Sequence, residues 1–471
     1  MEDWTRVEST DDPRWTEFRT EVERVTKGRP LEKLAVPTPD GLGIEPVYIR
    51  SHRPPGTELG WTSVRNAAPR WEIRVPVLSA DPAAANANVL DELARGAEGL
   101  LLVLAPRARG ADRAWPGGIQ LERRSNLERL LRDVHLEMIS VSFDAGVAAV
   151  PAAASLLSLA DRAGVTDQLT GCLGLDWTTA RARLGALPAP QSDLDRLTAS
   201  FLARTPDGLR VARIDGATWA EGGASADQQI AAMLAGAVET WRAWTEAGVD
   251  PASAPARTEL RVSLGSDVLE SVALVRALRR TFARVCEVVG ASSPPFVEGV
   301  PSRSMLTRWD VHTNLLRLTT AAAAGVMAGV DALVAVPFDW ALGPPEELSR
   351  RLARNLQHIL REESHLGHVL DPAGGSHYIE ARTEALASAA WSRFRRFEAE
   401  GGLSVALETG RWQDEIRVRR EARFGEVARR RAPIVGVSVF PNAQEEGADV
   451  EGPGTSVVDE IGRASCRERV C

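Results

Sequence analysis

Eight short runs rich in leucine and β-branched residues recur through the middle of the 471-residue chain, and most are followed by a stretch of helical periodicity. No other feature narrows the possible folds as far. The runs span Glu72–Val77, Gly99–Ala105, Met138–Phe143, Gly171–Leu175, Leu209–Ile214, Glu259–Leu264, Pro295–Val300 and Ala332–Pro337. Helical patterns cover Asn88–Gly96, Asn126–Asp133, Ala148–Ala163, Ala224–Ala247, Val268–Val289, Leu306–Ala328 and Pro345–Glu363. Units of about 37 residues suit a (βα)8 TIM barrel, and no G-x-G-x-x-G follows the first run to mark an open dinucleotide-binding sheet. The expected α/β barrel occupies residues 70–385.

The flanks read differently. Residues 1–69 form an N-terminal arm, expected to make subunit contacts, with a hairpin around Asp40-Gly41 in PTPDGLGIEPVY. After the barrel, residues 386–459 are read as helices and a linker. Helices are expected over Thr383–Glu400 and Leu403–Arg431, separated by Gly401-Gly402, and the apolar run Ile434–Phe440 is expected as one strand. Asn442–Asp459 is acidic and glycine-containing, the composition of a mobile linker. The last twelve residues, 460–471 (EIGRASCRERVC), resemble the in-frame translation of a sequencing adapter and are set aside from fold reasoning.

Composition removes several function classes. No apolar run approaches the roughly 18 residues of a membrane helix, and the polar start, Met1–Arg19, lacks a signal-peptide pattern, so a cytoplasmic protein is expected. The chain has 56 basic and 64 acidic residues, a formal charge of -8, and no basic stripe interleaved with aromatics, which argues against nucleic acid as a partner. Its four cysteines, Cys172, Cys286, Cys466 and Cys471, form no C-x-x-C pair, so neither a disulfide framework nor a cysteine zinc site is supported.

In a barrel of this kind chemistry belongs at the C-terminal ends of the strands. Asp144, Asp176, Asp215 and Asp339 follow the third, fourth, fifth and eighth runs, and Glu298 is read as ending the seventh. Such carboxylates could hold a hard cation or divide acid and base work, although an aspartate after a strand also caps the next helix, a role that accounts for Asp176 and extends to Asp144. None of the seven histidines stands at a strand's C-terminal end. His365 and His368 have i, i+3 spacing without a third ligand. Asp133-Val134-His135 and Asp310-Val311-His312 each lack the glycine that a cobalamin-ligating D-x-H-x-x-G loop requires. The arginines between Arg417 and Arg431 read as a solvated helix face, with docking on an acidic partner as the alternative.

The stretches RWDVHTNLLRLTTAAAAGVMAGVDALVAVPFD and SRRLARNLQHILREESHLGHVLDPAGGSHYIE, within Arg308–Glu380, resemble the end of the barrel in methylmalonyl-CoA mutases. The similarity extends through SVSFDAGVAAVP (Ser140–Pro151), RWEIR (Arg70–Arg74) and APIVGVSVF, and is greatest to the small, or beta, subunit of the heterodimeric bacterial enzyme. The resemblance implies a TIM barrel of the type that threads a coenzyme A thioester along its axis. It also implies adenosylcobalamin chemistry interconverting (R)-methylmalonyl-CoA and succinyl-CoA. The flavodoxin-like cobalamin-binding domain of full-length members is expected to lie outside this chain.

Carried over position by position, the family's reactive groups are missing. The tyrosine-histidine pair after the fifth strand falls on Ala217 and Thr218, and the first-strand tyrosine on Pro76. Glutamines of the fourth and seventh strands fall on Gly174 and Val300, and a cofactor-facing glutamate after the eighth strand on Trp340. Only Arg74 matches a coenzyme A contact, as a vestige. The chain has two tyrosines, Tyr48 and Tyr378, and both lie outside the expected barrel mouth. Losing one group that stabilises a reacting carbonyl costs roughly 10² to 10³ in rate, and several are absent together. The expectation is a non-catalytic subunit that stabilises a catalytic large subunit in a heterodimer, with adenosylcobalamin held by that partner and no cofactor or metal bound directly here. The alternatives are a self-sufficient acyl-CoA mutase of altered substrate, and a metal-dependent barrel hydrolase or lyase using Asp144, Asp215 and Asp339.

Overall fold

A computed structural model describes residues 7–38, 40–52, 70–106, 109 and 117–442. Its centre is a closed barrel of eight parallel strands in sequential order, β1 to β8. They are β1 (Glu72–Val77), β2 (Gly99–Val103), β3 (Ser140–Asp144), β4 (Thr170–Leu175), β5 (Leu209–Asp215), β6 (Thr258–Leu264), β7 (Phe296–Pro301) and β8 (Ala332–Val334). Closure leaves no edge strand, and β1 pairs with β8 through Glu72 opposite Ala332. The expected runs therefore fall on the strands to within a few residues.

In the arm, α1 (Pro13–Val25) is capped by Asp12, whose side chain accepts from the Arg14 amide. Around the barrel run α2 (Pro82–Ala94), α3 (Arg124–Leu130), α4 (Ala149–Ala163), α5 (Trp177–Leu184), α6 (Gln191–Leu202), α7 (Gly216–Gly222), α8 (Ala226–Glu246), α9 (Val268–Val289), α10 (Thr313–Met327) and α11 (Glu347–His358). A π-helical turn, Ile359–Glu363, extends α11. After it come α12 (His377–Ala399), α13 (Leu403–Glu408) and α14 (Arg411–Ala428).

Five expectations change. Helices α1, α5, α6 and α7 were not foreseen, and the single helix expected over Leu403–Arg431 is two, α13 and α14, broken where Gly410 takes a positive φ of 75°. The helix expected from Leu306 begins at Thr313, because Leu306 is extended and the preceding Arg303–Met305 forms a separate 3-10 turn. The domain boundary placed at 385 falls inside α12, which packs its buried face, including Leu386 and Ala390, into the main core. The strand expected at Ile434–Phe440 is a compact turn: Gly436 has φ 78°, and the Val437 and Ser438 amides donate to the Ile434 carbonyl.

The arm's described part has its own small core of Val7, Trp15, Leu31 and Ile49. Its hairpin is present as the antiparallel bridge Val36 to Ile44, with Gly41 at φ 82°. The arm is docked on its own chain. Asp40 and Glu270 both ion-pair with Arg382 of α12, whose side chain is buried, and Tyr48 packs edge-on against Tyr378 at 5.1 Å. Residues 53–69 and 443–471, which include the expected linker and the adapter-like end, lie outside the described residues.

A filled barrel axis as the candidate functional site

Strand side chains alternate between two faces, so in a closed barrel every second residue points at the axis. In β1, β6 and β7 those positions hold Glu72 and Arg74, Glu259 and Arg261, and Glu298. Arg74 shows where they meet. Its guanidinium bonds Glu72 on its own strand, Glu259 of β6 at 3.0 Å and Glu298 of β7. β1 borders only β2 and β8, so bonds to β6 and β7 must cross the lumen.

The network continues towards the mouth. Arg213 of β5 donates from Nε and Nη2 to Glu259, at 2.9 and 2.6 Å, and from Nη1 to the Phe143 carbonyl. Arg261 joins Glu298 to Asp144 across the barrel. Exposed Arg183 then reaches Asp215 at 3.0 Å and Asp144 at 3.8 Å. At the opposite end Arg210 stacks over the Phe296 ring, 3.6 Å from its centroid. Arg74, Glu259 and Glu298 have no exposed surface. Ion pairs and packed side chains fill the axis from one end to the other.

The network controls the charge states of its members. Against the upward push of burial, Arg74 and Arg213 hold the Glu259 carboxyl well below the usual carboxylate range. Burial also works against ionised Asp144, but Arg109, Arg183 and Arg261 outweigh it and depress that carboxyl too. Arg109 is lowered to about 10 by burial, opposed by Asp144 and reinforced by Arg183, Arg303 and Arg261. The Cys172 thiol, buried in the barrel wall, is pushed up to about 12 by burial and by Glu259, which leaves it an inert thiol near neutral pH.

The expected mouth carboxylates divide among these roles. Asp176 is a helix cap: Oδ1 accepts from the Thr179 amide and Oδ2 from the Asp215 amide. Burial raises its carboxyl to about 6. Asp215 caps α7 through the Ala217 amide and also binds Arg183 and the Thr218 hydroxyl. Asp144 is no cap, because its partners are arginines. Asp339 accepts from the Glu346 amide. Glu298 does not end its strand; it is the third residue of β7 and sits inside the lumen. Among the described residues no three His, Cys, Asp or Glu side chains are grouped to hold a metal ion. The metal-dependent arrangement of Asp144, Asp215 and Asp339 is therefore not formed.

The positions carried over from the mutase family lie in or beside this packing. Ala217 and Trp340 are buried, and Arg303, ion-paired with Glu221, sits 5.9 Å from the Trp340 ring centroid. Thr218 belongs to the Asp215–Arg183 cluster. Pro76 and Val300 are half-buried, on β1 and β7. Gly174 has φ 72°, and a Cβ there would lie 2.3 Å from the Phe143 carbonyl and 3.3 Å from Arg213. Arg74, matched to a coenzyme A contact, stands inside the lumen with three carboxylates around it.

The two D-x-H segments are a poor fit to a cobalt ligand. Asp133 and Asp310 both have positive φ, His135 is exposed beside Glu137, and the His312 ring lies 5.4 Å from Phe338. His365 and His368 stack on each other at 4.8 Å. Sequence reasoning missed Arg213, Glu259 and Arg261. Their signal was present: charged residues two apart within otherwise apolar runs, Arg213 and Asp215 in LRVARID and Glu259 and Arg261 in TELRVSL.

Residues 62–463 match the family profile described as methylmalonyl-CoA mutase. The chain is 38% identical over 431 residues to the methylmalonyl-CoA mutase small subunit of Streptomyces virginiae, covering 89% of this chain and 68% of that protein. It is 32% identical over 461 residues to the small subunit from Propionibacterium freudenreichii subsp. shermanii, covering 92% and 69%. With the methylmalonyl-CoA mutase of Escherichia coli (strain K12) it shares 27% over 452 residues, covering 89% and 63%. Among the described residues no helix is long and apolar enough to cross a membrane.

Proposed function

This chain belongs to the methylmalonyl-CoA mutase family, and from that premise we propose that it is the non-catalytic small subunit of a heterodimeric, adenosylcobalamin-dependent mutase. The complex interconverts (R)-methylmalonyl-CoA and succinyl-CoA, and this chain stabilises the catalytic subunit without turning over substrate itself. The filled axis carries the reading. A thioester threaded along the barrel would have to displace Arg74, Glu259 and Glu298, which are fully buried and bonded to one another. Breaking a buried pair costs several kcal/mol for each uncompensated charge, more than a flexible ligand arm recovers by lying in the channel.

The residues at the mouth support the same conclusion. Radical rearrangement needs hydrogen bonds to a thioester carbonyl and a space closed to water. Ala217 offers no side-chain donor, and the Thr218 hydroxyl already donates to Asp215. Adenosylcobalamin supplies the radical in such enzymes. Neither D-x-H segment of this chain suits its cobalt, so the cofactor is assigned to the larger partner named by the relatives' description as small subunits.

Co-expression with the large subunit encoded in the same genome is expected to yield a stable one-to-one complex with mutase activity. The small chain alone, supplied with adenosylcobalamin, should give no turnover. Failure of the two chains to co-purify would refute the subunit reading.

A further inference from the structure

The N-terminal arm meets α12 at a cluster of rings that the subunit reading leaves unused. The arm's described part ends in a 3-10 turn, Arg50–His52, that packs on α12. The His52 ring stands edge-on to two aromatic neighbours, Trp15 of the arm's small core at 6.0 Å and Tyr48 at 5.9 Å. Tyr48 in turn makes the edge-on contact with Tyr378 of α12. His52 therefore joins the arm's core to the ring that docks it.

The backbone selects the protonation state that suits this arrangement. His52 Nδ1 accepts from the Ile49 amide at 3.2 Å, which only an unprotonated nitrogen can do. An imidazolium donates from both nitrogens, so charging His52 breaks this bond and sets a second donor against the amide of buried Ile49. The surroundings of the ring act in the same direction on balance. Partial burial opposes the charge most, and Glu45 favours it but is exposed and screened by water. His377, the first residue of α12, opposes it as well, so the imidazole is held below its ordinary range. Arg50 on the same turn is paired with Glu8. Tyr378, pushed up to about 12 by burial and by Glu270 and Asp267, stays neutral throughout.

We propose that the arm is held by a pH-operated latch: it docks on α12 while His52 is neutral and loosens when His52 takes up a proton at Nδ1. The change acts on the Tyr48–Tyr378 contact, whereas the Asp40–Arg382 ion pair still tethers the hairpin. Loosening therefore begins at residues 44–52. Because the docked arm favours the neutral ring, docking is strongest above about pH 6.5, the ordinary imidazole value, and weakens as pH falls below it. The latch does not depend on the subunit reading.

Hydrogen exchange of the unaltered chain and of His52→Asn, at about pH 7.5 and about pH 5 with rates corrected for intrinsic amide chemistry, tests the latch. The asparagine Oδ1 can accept from the Ile49 amide but cannot become charged. In the unaltered chain, protection of residues 44–52 is expected to fall about fivefold or more at the lower pH, while that of β6 does not fall. His52→Asn is expected to change by less than about twofold. Protection of 44–52 that is independent of pH in the unaltered chain, or the same loss in His52→Asn, would overturn the inference. Should the variant's arm already be undocked at the higher pH, an NMR titration of ring-labelled histidines in the unaltered chain decides. The His52 signal, identified by its absence from the variant, is expected to titrate with the midpoint of the protection loss, and midpoints more than about one pH unit apart would overturn the latch.

Discussion

At the scale of single residues, the decisive fact is that acids and bases inside the barrel pair with one another. Glu259 holds two buried arginines, so Glu259→Gln should lower unfolding free energy by about 3 to 5 kcal/mol in urea titrations followed by circular dichroism. The exposed Glu408, paired with Arg181, provides the contrast: Glu408→Gln should change stability by no more than about 1 kcal/mol. The pH dependence has two arms of opposite sign. Glu259 and Asp144 have folded pKa values below their unfolded ones, so they stabilise the fold above about pH 4.5, and that contribution is lost as pH falls through the folded values. Asp176, raised to about 6 from 3.8, does the reverse: its contribution is complete below about pH 4 and lost as pH rises through 6, up to about 3 kcal/mol. Asp176→Asn should therefore flatten the stability profile between pH 4 and 6 while leaving the acid limb in place. Gly174 has no room for a side chain. Its positive φ and the nearby Phe143 carbonyl exclude a Cβ, so Gly174→Gln should destabilise the barrel. Asp176 was readable as a cap from its place after a strand. Glu298 was misplaced because a single carboxylate near the end of a run does not reveal which residue is last.

At the scale of elements, strands were legible because parallel barrel strands are buried on both faces and appear as apolar runs. The helices missed were α1, α5, α6 and α7; α5 and α7 span only about two turns, too few to show a period, while α1 and α6 are longer and carry many polar residues between their apolar positions. The strand wrongly expected at Ile434–Phe440 shows the limit of the same signal: β-branched residues set the run apart, but Gly436 at positive φ folds it onto Asp310 and the start of α10. The arm illustrates a different limit. Its hairpin was visible in PDG, yet its docking depends on Asp40 meeting Arg382, far away in sequence. Asp40→Ala leaves Arg382 paired only with Glu270. It should expose the arm to proteases at concentrations that leave the barrel intact, read by mass spectrometry of limited digests.

At the scale of the whole molecule, sequence and structure contribute different parts of the functional account. The family resemblance came from motifs spread over most of the chain, and the matched profile extends over residues 62–463. That tyrosine, histidine and glutamine do not stand at the positions the resemblance implies was an expectation visible in the sequence. What took their place in space was not, because Arg74, Arg213, Asp144 and Glu298 come from four strands and meet only after closure. The barrel thus uses its axis for internal packing. Titration calorimetry of the isolated chain with succinyl-CoA tests that claim most directly. The account predicts no saturable heat up to about 1 mM ligand, whereas stoichiometric binding at micromolar affinity would contradict it.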